Sequence, residues 1–270
     1  GSAGTIGAGE YLKKKFPRLL IAAVEALQCP TLYLNGFGGH RIEGIGDKHV
    51  PWIHNVRNTD NVIAIDDEDT MRLLRLFNEP SGKKLLEKEG LKKEFVEKLS
   101  YLGVSSICNL IASIKMAKYY EMNERDVIFT TFTDPADMYI SRLEEMNTSR
   151  GRYCEEYAAV DLNNLRGVKI DWIKELSYWE RKALHNLKYY TWVEQQGKTV
   201  EEINALWEPE FWDEVFSHTA EWDKLIVEFN RKTGLILLIG MITLVCSGES
   251  DRYAMYKPMT SSIVFKAGFP

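Results

Sequence analysis

Apolar residues along this chain fall into short unbroken runs separated by stretches with helical spacing. Leu19-Leu-Ile-Ala-Ala-Val24 and Asn61-Val-Ile-Ala-Ile65 have the length and continuity of strands buried on both faces, and Asp126-Val-Ile-Phe-Thr-Thr131 predicts a third. Between them the period changes. Thr5 to Phe16 reads as a helix that Pro17 ends, Thr70 to Phe77 as a helix opened by the acidic run Asp66 to Asp69, and Ser105 to Tyr120 as a long helix. A further helix from about Pro135 to Glu145 follows the third strand. The polar, lysine-rich stretch Glu79 to Gly90 reads as a surface excursion. Strands alternating with helices predict an α/β fold, a mostly parallel sheet flanked by helices.

From Ile170 to Asn230 the pattern is helical throughout. It carries six of the seven tryptophans, Trp172, Trp179, Trp192, Trp207, Trp212 and Trp222, and such residues are expected chiefly as core filling. The run Leu235 to Cys246 is apolar almost without a break, but its twelve residues are too few for a membrane span of about twenty. No clear period follows it, which predicts weak packing. The expected organisation is an α/β domain over 1–150, a helical tryptophan-rich extension over 151–234 and an atypical tail over 235–270.

Composition narrows the classes. A chain of 270 residues with 45% hydrophobic and 27% charged residues is of ordinary globular type. Its formal net charge of −5 argues against a nucleic-acid binder, whose electrostatic footprint is a basic face, and no membrane targeting is indicated. Cys29, Cys108, Cys154 and Cys246 lie far apart, with neither a CxxC nor a Cys/His cluster, so no zinc or other metal site and no disulfide framework is expected. Free thiols in a reducing cytoplasm follow, and no signal peptide is visible.

The candidate chemistry begins at the first residue. Gly1-Ser-Ala-Gly-Thr-Ile-Gly-Ala-Gly9 runs directly into a helical pattern, and small residues ahead of a helix let backbone N–H groups approach an anion closely. An anion cradle is the result. Glu25, about twenty residues on, keeps a dinucleotide-binding enzyme in play, although no GxGxxG occurs in the first twelve residues. A noncatalytic interaction protein with a tryptophan-rich helical surface is the third reading. His40 and His49 flank a Gly-Ile-Gly segment within possible reach of a substrate; His54, His185 and His218 stand alone, and each reads first as a surface or satisfied core histidine.

Gly1-Ser-Ala-Gly-Thr5, His40-Arg-Ile-Glu-Gly-Ile-Gly46 and Gly103-Val-Ser-Ser106 occur in an order that resembles the cysteine synthase family of fold type II pyridoxal-phosphate enzymes. The resemblance implies that Gly1, Ser2, Ala3, Gly4 and Thr5 grip the phosphate of pyridoxal 5'-phosphate and that Gly44 and Gly46 lie beside the cofactor ring. Ser105 and Ser106 read as a helix cap and its neighbour. Aligning Tyr139-Ile-Ser141 with the family puts Asp134, or Thr133 one residue away, at the place that hydrogen-bonds the pyridine nitrogen. Asp134 as a helix N-cap before Pro135 competes with that assignment. The implied activity is that of a lyase or transferase of amino-acid metabolism, acting on an amino-acid substrate by β-elimination or β-replacement, in a homodimer when intact. In that family the Schiff-base lysine precedes the phosphate loop. The expectation is therefore a C-terminal portion of such an enzyme, a partial large domain with no catalytic residue of its own and inactive alone, its lysines solvated.

Overall fold

The structure is a computed structural model that describes residues 3–234, with side chains from Ile6 onward, and the backbone of Ser261–Lys266. It divides into two compact units, residues 1–196 with 259–270, and residues 197–258. The first contains α1 (Ala3–Lys15), β1 (Ala22–Ala26), α2 (Thr31–Leu34), β2 (Asn61–Ile65), α3 (Asp67–Asn78), α4 (Pro80–Lys88), α5 (Lys93–Lys98) and α6 (Val104–Tyr119). It continues with β3 (Val127–Phe132), α7 (Ile140–Arg150), α8 (Glu155–Arg166), β4 (Ile173–Glu175), α9 (Tyr178–Asn186) and β5 (Ser261–Lys266). The second contains α10 (Val200–Ala205), α11 (Pro209–Ser217) and α12 (Thr219–Thr233).

The α/β class holds, with a small sheet set among helices. β2 is its centre because all five of its residues are buried, as a strand covered on both faces requires. β1 pairs with it in parallel, Ala22 against Asn61 through Ala26 against Ile65, and β4 pairs antiparallel on the other edge. β3 pairs instead with β5, antiparallel, from Val127 against Lys266 to Phe132 against Ser261. Among the described residues parallel pairing is thus confined to β1 and β2. Two sequence expectations need correction here. The first strand begins three residues later than its apolar run, because Ile21 is tied to Asp60: Asp60 Oδ2 accepts the Ile21 N–H at 2.7 Å and Ile21 O accepts the Asp60 N–H at 2.8 Å. The stretch read as helical throughout contains β4, a three-residue strand too short to show a period.

α3 supplies much of the core. Met71, Leu74 and Leu76 are fully buried, and Leu73 and Phe77 nearly so. Asp66 caps it by accepting the Glu68 N–H at 2.9 Å, so the acidic run starts the helix as expected. Against it pack α6, with Ile107, Cys108 and Ile111, and α8, with Ala158 and Leu162. Glu79 to Gly90 is not a surface excursion: α4 has Pro80 in its first turn and buries Leu86. Gly82 makes that packing possible, since a Cβ there would lie 2.1 Å from the Leu76 carbonyl oxygen.

In the second unit, Thr199 and Glu202 form a capping box that starts α10, Pro209 opens α11, and Trp212 Nε1 donates to Leu206 O at 2.9 Å. Gly234, at φ +75°, closes α12. The tryptophans divide: Trp207 is buried, whereas Trp172, Trp179 and Trp222 are exposed, so core filling does not account for the set. Of the expected tail, residues 235–260 and 267–270 lie outside the described residues. Among the described residues no single helix is long and apolar enough to cross a membrane.

Candidate cofactor site

The expected phosphate loop is mostly helix. α1 begins at Ala3, so Gly4, Gly7 and Gly9 are helical and only Gly1 and Ser2, which lie outside the described residues, precede it. Ala3, Gly4 and Thr5 form its first turn, whose N–H groups have no partner within the helix. Gly9 has a packing role, because a Cβ there would come within 2.7 Å of the Ile21 side chain.

Gly44 and Gly46 sit in the loop before β2 at φ +85° and +92°, where other residues are strained. Around Gly44 nothing lies within 4 Å of a Cβ position, whereas at Gly46 a Cβ would meet His40 Nε2 at 2.9 Å. His40 fixes this turn. Its Nδ1 accepts the Ile42 N–H at 3.2 Å, which leaves Nε2 protonated to donate to Gly46 O at 3.0 Å. His40 is therefore committed to the backbone, and His49 Nδ1 is 2.9 Å from Thr191 Oγ1. Arg41 anchors the same loop to α3 through Asp67 Oδ1 at 2.7 Å and Glu68 Oε2 at 2.8 Å. Glu68 also receives Arg150 at 2.6 Å and Arg72 at 2.9 Å, and Arg150 foremost, with Arg41 and Arg72, lowers its carboxyl to about 2. At its other end the loop meets α7, where Arg142 Nε donates to Glu43 Oε1 at 2.7 Å.

Asp134 follows β3 and stands at the N-terminus of α6. Thr133 Oγ1 donates to its Oδ1 at 2.9 Å, Ser105 Oγ lies 3.3 Å from the same oxygen and 2.8 Å from Thr133 Oγ1, and the Tyr139 hydroxyl donates to Oδ2. Its carbonyl accepts the Gly103 N–H at 2.7 Å, and the Thr133 N–H goes to Ser106 Oγ at 3.1 Å. A carboxylate ringed by three hydroxyls beside the positive end of α6 is an acceptor held in place. Gly103 permits the approach, since a Cβ there would fall 2.7 Å from Asp134 O and 2.8 Å from Tyr139 Cε2. Burial, and then the bond to Asp134, push the Tyr139 hydroxyl up, so it stays a donor.

Two cap assignments change. Gly103 is the N-cap of α6 with no side-chain cap, so Ser105 and Ser106 serve Thr133 and Asp134 instead. The short helical turn at Ala136–Tyr139 starts from Pro135, also with no side-chain cap, so Asp134 does not cap it. Thr133 and Asp134, neighbours in sequence, share a hydrogen bond at the end of β3. Sequence reasoning used Tyr139 only as an alignment anchor and missed Gly103 as a contact; a glycine directly before a helix was the available signal. Nor are the lysines all solvated: Lys115 is 5% exposed and donates to Asp171, and Lys188 is fully buried, with Nζ on the Trp52 and His54 carbonyls at 2.8 Å each. Glu25 is buried and accepts the Leu32 and Tyr33 N–H groups at 2.9 and 2.7 Å, so it caps α2 and is taken from the dinucleotide reading.

Over 142 residues, 52% of this chain, the sequence is 34% identical to cysteine synthase B of Campylobacter jejuni, covering 40% of that protein. Over about half its length the chain is similar to cysteine synthases. Cysteine synthase of Staphylococcus aureus is 26% identical over the same length and is also covered to 40%. The chain thus spans 40% of the length of the curated relatives it matches. Among solved structures, the hydrogen sulfide-producing enzyme of Fusobacterium nucleatum is 24% identical with a TM-score of 0.41, over 64% of this chain and 42% of that one. No protein-family profile matches.

Proposed function

We propose that this chain forms the phosphate and ring side of a pyridoxal-phosphate site in an enzyme that acts on an amino acid by β-elimination or β-replacement. The observation that carries the proposal is the Asp134 carboxylate, fixed by Thr133, Ser105 and Tyr139 at the start of α6. The residues present fit the cofactor: open space beside Gly44, a helix start at Ala3, Gly4 and Thr5 for a phosphate, and an anchored acceptor for a ring N–H. Pyridoxal phosphate, when bound, supplies an electron sink for the pair left at Cα. Asp134 would hold a proton on the pyridine nitrogen, Thr133 and Tyr139 keep its two oxygens aimed, and Gly44 would leave room beside the ring, while Gly46 makes room for His40.

Equilibrium dialysis of the full chain against pyridoxal phosphate, pyridoxal and NAD tests this reading. Saturable binding of pyridoxal phosphate, stronger than of pyridoxal, is expected; binding of NAD alone would replace it with the dinucleotide reading. One observation favours a second reading, an interaction protein. Trp222, Leu225, Ile226 and Phe229 form a stripe on one face of α12 and are 45 to 61% exposed. Failure of all three ligands to bind would move the weight there.

A further inference from the structure

A cavity of about 450 Å³ opens among α3, α6, α8 and the segment leading into β4, and it shares no residue with the cofactor site. Asp69, Arg72, Lys115, Asp161, Lys169 and Asp171 line it, so its carboxylates and cations balance. Several of these groups are already engaged. Lys115 donates to the Asp171 carbonyl at 2.9 Å and to its carboxylate, and Arg72 spends Nε on Glu68 at 2.9 Å, leaving its terminal nitrogens without a described partner. Asp161, 6% exposed, accepts the Tyr153 hydroxyl on Oδ2 at 2.7 Å and has no described donor on its other oxygen. Asp69 makes no hydrogen bond or ion pair among the described residues, and burial raises the carboxyls of both Asp69 and Asp161 above the usual range.

Asp69 and the second oxygen of Asp161 are acceptors with no hydrogen-bond donor among the described residues, which suits a ligand that brings N–H donors. The described residues contain no group of three His, Cys, Asp or Glu that could cage a metal ion, and the cavity is larger than an inorganic ion needs. The unused ends of Arg72 and Lys169 call equally for an anion, and Leu73 and Ile111 add apolar wall. One small molecule meets all three demands. We propose that this cavity binds a free amino acid with an aliphatic side chain, its ammonium on Asp69 and Asp161, its carboxylate on Arg72 and Lys169, and its side chain against Leu73 and Ile111.

Isothermal titration of the full chain with L-leucine tests the assignment, with isopentylamine and 4-methylpentanoate as molecules that each carry only one of the two charges. Leucine is expected to bind saturably, and each half-molecule about tenfold more weakly or worse. Asp69→Asn and Arg72→Gln are each expected to weaken leucine by a similar factor with little movement of the thermal melt, because Asp69 makes no hydrogen bond or ion pair among the described residues and Arg72 pairs with Glu68 in a part-exposed i,i+4 contact. Absence of saturable binding, a half-molecule as tight as leucine, or leucine affinity unchanged in both variants would overturn it. None of these probes contains a phosphate or a pyridine ring, so the result is separate from that of the cofactor reading.

Discussion

Glu25 gives this fold a pH dependence whose sign can be worked out. Its carboxyl is 3% exposed, faces no cation within ion-pairing distance among the described residues, and is pushed up to about 7 by burial, against which the Leu32 and Tyr33 N–H groups pull only partway back. The native state therefore keeps a proton that the unfolded chain releases near the ordinary glutamate value of 4.5. A raised folded value means that this contribution to stability is fully present below about pH 4.5 and is lost as the pH rises through about 7. At roughly 1.4 kcal/mol per pH unit the loss approaches about 3 kcal/mol by pH 8. Glu25→Gln cannot titrate; its amide presents a donor to one of the two N–H groups, a pH-independent cost of about 1–3 kcal/mol. His54, lowered to about 3 by burial, makes stability fall as the pH drops below 6.5, opposing Glu25 in the parent protein, so the comparison must be between parent and variant. Urea unfolding followed by tryptophan fluorescence from pH 5 to 8 is expected to show the variant weaker at pH 5 and the gap closing by up to about 3 kcal/mol at pH 8. A gap constant across that range would refute the reasoning.

Asp60 joins α1, the start of β1 and α9 by accepting Lys13 at 2.6 Å, the Ile21 N–H at 2.7 Å and Arg181 at 3.0 Å. Asp60→Ala is expected to cost about 3 kcal/mol in urea denaturation, and a loss under about 1 kcal/mol would show the junction to be dispensable. Gly46→Ala combines positive φ with a clash at His40, so a cost of about 1–3 kcal/mol is expected, against a gain of up to about 1 kcal/mol for Gly7→Ala, a helical position where nothing lies within 4 Å. Lys188→Met removes the donors of the Trp52 and His54 carbonyls and should destabilise by about 2 kcal/mol at pH 6. Burial lowers Lys188 to about 7, so stability tied to it rises between there and its unfolded value of 10.5; the variant's melting temperature, compared with the parent's, should fall further behind as the pH moves from 7 to 10.

β2, α3 and α6 were legible because each is a continuous apolar run or helically spaced segment bounded by local start or stop signals, Asp66 for α3 above all. α4 was hidden because most of its residues meet solvent and its packing depends on one glycine, whose purpose only the approach of the Leu76 carbonyl reveals. β4 is too short to announce itself, and the pairing of β3 with β5 is set by a partner 129 or more positions away. At the site, the neighbours Thr133 and Asp134 could be read from the end of a strand. Their hydroxyl partners could not, since Ser105 meets Asp134 only once β3 lies alongside α6, and Tyr139 only through the turn at Ala136–Tyr139. The glycine-rich start was legible as small residues and as helix only from Thr5, because Gly4 argues against the helical conformation that begins at Ala3.

The cofactor assignment stands most directly on the binding of 4'-deoxypyridoxine 5'-phosphate, which has the phosphate and the pyridine nitrogen but no aldehyde, and so needs no Schiff-base lysine. Titrated into the full chain and followed by ligand fluorescence, it is expected to bind saturably and to lose about tenfold or more in affinity with Asp134→Ala, the value of one charge-assisted hydrogen bond. Affinity unchanged by Asp134→Ala, or no saturable binding by the parent chain, would contradict the account.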